Sequence, residues 1–170
     1  LSEKVARDAG YDVETVMAVV DDKAHYYPDA SSFITKLIVD KSTHKILGFQ
    51  ALGSGAVDKM VDIAVTAISL DATIKQCECM DFCYAPPFAT AIHPFVQTIH
   101  IMQNKLSNKL ISITPAEYLA GKAKDYRVID AGLAPSIRGA KYVDLAKVNA
   151  PIEGISKDEK LLLVCAKGKR

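Results

Sequence analysis

The chain has 170 residues, of which 49% are hydrophobic and 24% are charged, and its formal net charge is +1. This is the composition of an ordinary globular protein, so it excludes disordered, collagen-like and coiled-coil classes. The balanced charge excludes an overall field that would recruit nucleic acid or a membrane surface. A chain of this length corresponds to one ordinary domain or two small ones.

The cellular setting follows from the N-terminus and the cysteine usage. Residues 1–10 are amphipathic and charged, unlike a signal peptide, and no apolar run approaches the roughly 20 residues that span a bilayer. Four cysteines do not make a disulfide scaffold at this length, so a reducing, cytoplasmic setting is predicted. The chain starts at Leu1 and stops soon after an apolar run at 161–164, so we expect it to be the C-terminal piece of a longer polypeptide.

The first part of the chain is predicted to be an α+β domain, an antiparallel sheet followed by packed helices. Residues 41–45 are polar and lie between two apolar runs, which is typical of a hairpin turn. Hydrophobic periodicity and capping residues predict a helix at 1–10, strands at 13–20, 33–40 and 46–52, and helices at 55–70, after Thr73 and at 93–105.

The composition changes near residues 107–110, which we interpret as a linker between a domain at 1–106 and a second domain at 111–170. Thr114 and Pro115 form a capping pair that predicts a helix within 112–121. The apolar runs at 127–130 and 161–164 predict short strands of the kind buried in a parallel sheet. The second domain is therefore predicted to be an incomplete α/β domain.

The sharpest motif is Tyr84-Ala85-Pro86-Pro87-Phe88, followed by His93-Pro94. A tyrosine before a diproline, at this distance after an amphipathic helix, is an unusual combination. With it, residues 1–106 resemble the C-terminal dimerisation domain of the pyridine nucleotide–disulfide oxidoreductases, in the branch of coenzyme A disulfide reductase and its NADH oxidase and persulfide reductase relatives. The resemblance implies a homodimer in which this domain presents residues to the partner's active site, on the flavin side.

Three tyrosines are candidate site residues within this resemblance. Tyr84 matches the family's active-site tyrosine, and the loop that contains Tyr26 and Tyr27 matches a second tyrosine-bearing loop. A phenol can donate a hydrogen bond or a proton to a departing thiolate or persulfide, and a diproline pre-places it. We expect Tyr84 to be functional rather than an aromatic that only packs, and one of Tyr26 and Tyr27 to act while the other packs.

His93 departs from the coenzyme A branch, which usually has Asp-Pro at this position. Glutathione reductase-like members have a His-Pro whose histidine is the acid–base group for the active-site thiol, and histidine titrates near neutrality. The alternative is a helix-start histidine ahead of Pro94 in the first turn. Both interpretations remain open, and so does the substrate branch.

Two further sequence features are not interpreted as binding sites. Cys77, Cys79 and Cys83 do not have knuckle spacing and no fourth ligand follows, so we expect small buried thiols and no metal. The glycines at 53 and 55 lack the third glycine and the βαβ context of a dinucleotide fingerprint. The resemblance then implies that the FAD and NAD(P)H domains and the redox cysteine lie upstream, so this chain alone should bind neither cofactor.

The second motif is a C-x-x-G-x-R loop after the predicted strand at 161–164. Together with residues 128–130 and 137–140 it resembles the rhodanese domain that follows the dimerisation domain in fused members of the same family. The resemblance implies that Cys165 carries a sulfane sulfur as a persulfide. The residues that would stabilise the thiolate and its anionic substrate, with the backbone N–H groups of the loop, are Lys167, Gly168, Lys169 and Arg170.

The rhodanese resemblance has departures. The family's Asp-Val-Arg reads Asp130-Ala131-Gly132, and the histidine of a second segment is missing. A phosphatase loop is a rival interpretation, although it sets the arginine one residue further from the cysteine. The chain stops at Arg170, without the helix that would hold such a loop, so we expect a truncated domain that lacks sulfurtransferase activity on its own.

The sequence therefore predicts part of an FAD-dependent, NAD(P)H-driven coenzyme A disulfide or persulfide reductase. This chain would supply the dimer interface, a partner-subunit tyrosine and a sulfur-carrying rhodanese module. Its partners would be a second copy and a coenzyme A-linked sulfur substrate, with no nucleic acid and no membrane. The alternatives are an NADH oxidase of the same family, and a non-catalytic dimerisation or interaction module with a degenerate rhodanese domain.

Overall fold

The computed structural model describes residues 1–168, which form two compact units; Lys169 and Arg170 lie outside the described residues. The first unit runs from Leu1 to Ser112 and the second begins at Ile113. The helices are α1 (Glu3–Asp8), α2 (Val57–Ser69), α3 (Ile74–Cys77), α4 (Pro94–Leu106) and α5 (Pro115–Leu119), with a 3-10 turn at Leu145–Lys147. The strands are β1 (Val13–Asp21), β2 (Ser32–Asp40), β3 (Ile46–Gly53), β4 (Arg127–Asp130), β5 (Lys141–Tyr142) and β6 (Leu161–Val164).

In the first unit β1, β2 and β3 form an antiparallel sheet in chain order. The β1–β2 register is continuous along both strands, whereas β2–β3 contains a shift between Ile38 and Val39. The predicted antiparallel meander with helices is confirmed. It forms because one face of the strands is apolar at alternating positions and is buried against α2 and α4, while Ile38 on the opposite face packs with Ala6 of α1.

The core of the first unit lies between this sheet and the helices α2 and α4. Phe95, Ile99 and Met102 recur at steps of four and three along α4, so they share one helix face, and each is fully buried. They pack with Phe33 and Leu37 of β2 in a single hydrophobic cluster. This packing fixes the two ends of the loop that follows α3, which carries the predicted site residues.

In the second unit β5, β4 and β6 form a parallel sheet, with β4 in the middle. The helix predicted within 112–121 is confirmed: α5 begins after its N-cap Thr114 and ends at Leu119, two residues before Gly121 with its left-handed φ of 84°. The strand predicted at 161–164 is present as β6, but the expectation that it is buried is wrong: none of its four residues is buried, and Leu163 is 63% exposed. β6 pairs with β4 alone among the described strands, so one of its edges and part of its surface face solvent.

Over residues 1–168, the helices are too short or too polar for any of them to cross a membrane.

Candidate functional site

Two loops of the first unit carry the predicted site tyrosines, and the fold brings them together. One loop connects β1 to β2 and carries Tyr26 and Tyr27, and the other follows α3 and carries Tyr84. The backbone N–H of Ala24 donates a hydrogen bond of 3.1 Å to the carbonyl oxygen of Pro86. The two loops are therefore tied to each other by main-chain atoms close to the tyrosines.

The first tyrosine loop is closed at its base by Asp22. The Asp22 backbone N–H donates to the Ser31 carbonyl oxygen at 3.0 Å, and the Ser31 N–H donates to Asp22 Oδ1 at 2.7 Å. Across the loop, Lys23 Nζ pairs with the Asp29 carboxylate at 2.6 Å. Asp22 is buried, so its hydrogen bonds compete little with water and hold the loop ends in place.

The exposures of the three tyrosines differ. Tyr26 is 65% exposed and Tyr84 is 52% exposed, whereas Tyr27 is half-buried. The Tyr27 N–H donates to the Ala24 carbonyl oxygen at 3.1 Å, and its ring lies 5.3 Å from the Tyr26 ring. Tyr27 thus packs within the loop and supports Tyr26, while Tyr26 and Tyr84 are open to a partner or ligand.

The diproline shapes the second loop. The Phe88 N–H donates to the Ala85 carbonyl oxygen at 2.9 Å, which closes a tight turn around Pro86 and Pro87. Each proline has its φ fixed by its ring, so this turn loses little entropy on ordering and keeps Tyr84 at its entrance. The turn also aims the Pro86 carbonyl at the first tyrosine loop.

His93 is buried and begins α4. It is 5% exposed, its Nδ1 accepts a hydrogen bond of 3.3 Å from the Phe95 N–H, and its ring lies 4.3 Å from that of Phe82. Burial, together with the nearby Lys59 charge, lowers the pKa of His93 to about 4. The imidazole is then neutral at neutral pH with its proton on Nε2, a buried nitrogen that has no hydrogen-bond partner among the described residues.

The cysteines after α3 differ from the sequence-based expectation. Cys77 is buried and its burial raises the pKa of the thiol, but Cys79 and Cys83 are exposed. The expectation of small buried thiols is therefore wrong for these two, because they lie beyond the last helical residue in a segment that runs over the surface. Both line a cavity of about 350 Å³ with His93 and His100. Within residues 1–168 no cluster of three or more histidine, cysteine or acidic side chains could hold a metal ion.

The glycines before α2 serve packing. At Gly55, whose φ is 84°, an added Cβ would lie 2.7 Å from Asp22 Oδ2, so the buried carboxylate fills the space that a phosphate would need. A carboxylate repels a phosphate, and the preceding strand β3 belongs to an antiparallel sheet. The residues of this segment do not fit FAD or a nicotinamide dinucleotide.

In the second unit the loop after β6 contains Cys165, Lys167 and Gly168. Cys165 is half-exposed, and Gly168 has a left-handed φ of 64° with its N–H 3.4 Å from the Cys165 carbonyl oxygen. The main chain therefore begins to curl around the cysteine. Lys169 and Arg170, which the sequence assigns to the same loop, lie outside the described residues.

Asp130 organises the loop after β4. It is 1% exposed, and its carboxylate accepts hydrogen bonds from the backbone N–H groups of Gly132, Ser136 and Ile137 and from the Ser136 hydroxyl, at 2.6–3.0 Å. Hydrogen bonds to the charged form, with those from Ser136 and Gly132 the largest, lower the pKa of Asp130 to about 2. The charge pattern of the sequence does not reveal this buried network.

Comparison with known proteins places this geometry in a family. The family profile described as the pyridine nucleotide-disulphide oxidoreductase dimerisation domain matches residues 1–95. A Pyrococcus furiosus protein named NAD(P)H sulfur oxidoreductase (CoA-dependent) is 34% identical over 103 residues, which are 61% of this chain and 23% of that protein.

Two solved structures are similar over nearly the whole chain. The NAD-dependent persulfide reductase from A. fulgidus matches with a TM-score of 0.86 and 30% identity, over 96% of this chain and 30% of that one. The reduced Bacillus anthracis CoADR-RHD structure matches with a TM-score of 0.86 and 26% identity, over 97% of this chain and 30% of that one. The chain thus spans less than a third of the length of these relatives. Since the family profile covers more than half of the sequence, the chain belongs to the pyridine nucleotide-disulphide oxidoreductases, a family of enzymes, and carries their dimerisation domain.

Proposed function

We propose that this chain supplies the dimer interface and the tyrosine-bearing loops of a coenzyme A disulfide or persulfide reductase. The observation that carries the proposal is the hydrogen bond from Ala24 to Pro86, which links two loops that each expose a tyrosine. Two phenols on tied loops can act on one small ligand. The names of the similar proteins, which include coenzyme A-dependent sulfur and persulfide reductases, agree with a sulfur substrate.

The proposed chemistry of the tyrosines is donation to a leaving sulfur. When a thiolate attacks a disulfide or persulfide, the departing sulfur becomes negative, and a phenolic O–H can donate a hydrogen bond or a proton to it. Tyr84 would act from the rigid diproline loop and Tyr26 from the loop closed by Asp22. Both would serve the active site of the partner subunit in a homodimer.

The exposures support a division of roles between the neighbouring tyrosines. Tyr26 is the more exposed and would contact the substrate, and Tyr27 is half-buried and would hold the loop. His93 would act by capping α4, because its Nδ1 is used by the Phe95 N–H and its pKa of about 4 keeps it neutral. This assignment favours the helix-start interpretation over an acid–base role.

The cofactors would be held by the upstream part of the complete enzyme. The family implies dependence on FAD and NAD(P)H, which supply the reducing electrons when bound. The residues around Gly55 in this chain do not fit a dinucleotide, since the Asp22 carboxylate fills the space. The contribution of this chain is therefore to orient the sulfur substrate and stabilise its leaving group, in the cytoplasm that the cysteine usage predicts.

The second unit would act as a rhodanese-like module, following a domain at 1–106 and a linker at 107–110. Parallel strands, the half-exposed Cys165 after β6 and the curl at Gly168 support this part of the proposal. Cys165 would carry the sulfane sulfur, and Lys167 would add positive charge near the thiolate. The roles of Lys169 and Arg170 stay predictions from the sequence.

The test is a kinetic comparison in the complete enzyme. We would measure NADH oxidation with coenzyme A persulfide, coenzyme A disulfide and oxygen, in wild type, Tyr84→Phe and Tyr126→Phe. Tyr126 is a partly exposed tyrosine of the second unit, so its variant controls for loss of a phenol elsewhere. We expect fast turnover on a coenzyme A sulfur substrate, slowed by about tenfold or more in Tyr84→Phe only.

Two results would count against the proposal. Oxygen as the only good acceptor, with Tyr84→Phe unaffected, would indicate the NADH oxidase alternative. Absence of turnover on every acceptor would indicate a non-catalytic dimerisation or interaction module.

A further inference from the structure

Two exposed thiols share one cavity next to the tyrosine loop. Cys79 and Cys83 both line the cavity of about 350 Å³, whereas Cys77, only two residues before Cys79, is buried. The cavity is large enough to admit a small molecule but not a folded domain. The two accessible thiols and the buried one thus provide an internal comparison of reactivity.

The segment that carries the two thiols is short and has no regular secondary structure. Residues 80–85 belong to no helix or strand, and three residues separate Cys79 from Cys83. A disulfide requires Cα atoms within about 7 Å of each other. A short segment without helix or strand hydrogen bonding can reach that distance by local rotation, and closing so short a loop costs little entropy.

A buried histidine belongs to the wall of the cavity that the two thiols line. His93, which is more than nine-tenths buried, lines the cavity and has an unpartnered Nε2. With Nδ1 occupied by the Phe95 N–H, this Nε2 carries the proton and is a hydrogen-bond donor without an acceptor among the described residues.

We propose that Cys79 and Cys83 are a dithiol that small disulfides oxidise to an intramolecular disulfide. The Cys79 thiolate attacks one sulfur of the small disulfide; its S–S bond breaks, one thiolate leaves and takes up a proton, and a mixed disulfide remains on Cys79. The Cys83 thiolate then attacks the Cys79 sulfur and releases the second small thiol. In total the small disulfide gains two electrons and two protons, and the dithiol loses both.

This exchange gives the cavity a role that does not depend on the proposed function. Cys83 directly precedes Tyr84, so the new bond would constrain the backbone at the entrance of the diproline loop. Oxidation of this pair would therefore act as a redox-sensitive change beside the tyrosine.

The experiment uses the 170-residue chain with Cys165→Ser, which removes the half-exposed thiol of the second unit. The reduced protein is treated with micromolar hydroxyethyl disulfide and studied by intact mass and peptide mapping. We expect a product lacking two hydrogens, with Cys79 linked to Cys83, to exceed the doubly modified product by about tenfold or more, because a short linker gives millimolar effective concentrations. Cys77 should stay unmodified.

A second variant identifies the order of attack. Cys83→Ser removes the resolving thiol, so a stable mixed disulfide should accumulate on Cys79. The proposal would be overturned if the parent chain instead carried separate adducts on Cys79 and Cys83 without a linked product. It would equally be overturned if neither thiol reacted while Cys77 did.

Discussion

The main-chain N–H of Ala24 donates to the main-chain carbonyl of Pro86, and this bond joins the loop of Tyr26 to the loop of Tyr84. Because only backbone atoms take part, the link does not depend on either tyrosine side chain. Substituting a tyrosine by phenylalanine therefore leaves the loops tied and removes only a phenolic oxygen. Such variants report on the hydroxyl groups and not on loop placement.

Substitution of Tyr26 and substitution of Tyr27 should have different effects on kcat/KM. In the complete enzyme we expect Tyr26→Phe to lower kcat/KM on a coenzyme A sulfur substrate by about tenfold or more, since the exposed phenol that we propose as donor to the leaving sulfur is lost. Tyr27→Phe should change kcat/KM less than about threefold, because a half-buried ring keeps its packing. Steady-state kinetics would show this, and equal losses in both variants would contradict the assignment.

Asp22 should control the stability of the first tyrosine loop. Asp22→Ala leaves the Ser31 N–H without its 2.7 Å acceptor, so we expect the free energy of unfolding to fall by about 1–3 kcal/mol. Asp22→Asn retains an oxygen that can accept this bond and should cost clearly less. Urea unfolding of the chain measures the free energy of unfolding of both variants. An Asn variant as unstable as the Ala variant would show that the charge of Asp22, and not its hydrogen bond to Ser31, stabilises the loop.

His93 should make stability fall in mild acid. The folded-state pKa of about 4 lies below the ordinary histidine value of 6.5, so below pH 6.5 the unfolded chain binds a proton that the folded protein does not bind. The free energy of unfolding should decrease as pH falls from about 6.5 to about 4, by up to about 3 kcal/mol in all. His93→Asn, which keeps a capping side chain, should lack this component.

The check for His93 is a comparison of urea midpoints at about pH 7 and about pH 5 in wild type and His93→Asn. Both proteins share the carboxylates that also titrate, so the difference between their pH dependences isolates the histidine. Identical pH dependence in the two proteins would show that the folded imidazole is freely protonated.

Asp130 should hold the loop after β4 in the second unit. Its folded-state pKa of about 2 means that the stabilisation of the folded protein by the Asp130 carboxylate is present above pH 3.8 and is lost as pH falls towards 2.

Asp130→Asn replaces an accepting carboxylate oxygen by an amide NH2 group that faces backbone N–H donors, so amide hydrogen exchange at Ser136 and Ile137 should speed up markedly. Asp144→Asn is the matched control, since Asp144 accepts a single backbone bond, from Ala146, that one amide oxygen can keep. Hydrogen exchange by NMR would decide, and unchanged exchange in Asp130→Asn would refute the role.

Hydrophobic periodicity predicted most of the first unit because most of its elements bury one apolar face. The strands at 13–20 and 33–40 differ from β1 and β2 by at most one residue at either end, and the helix at 93–105 from α4 by one residue. The argument from residue type wrongly placed Cys79 and Cys83 among buried thiols, because they follow the end of α3 in a segment without helix or strand. Exposure there depends on the path of the loop, which residue type alone does not encode.

In the candidate site too, some features follow from local sequence and others from tertiary structure. The Tyr84-Ala85-Pro86-Pro87 sequence determined a rigid turn with a tyrosine at its entrance, because proline restricts its own φ. Tertiary structure decided that Tyr26 is more exposed than Tyr27. It also decided that their loop is hydrogen-bonded to Pro86. By itself, the sequence determined the α+β order of the first unit and the chemistry available in its loops. Only the packing of residues distant in the chain decided three features: the burial of His93, the closure of the Asp22 loop and the cavity that two thiols line. The reason is that burial and long-range hydrogen bonds arise from contacts that local sequence does not specify.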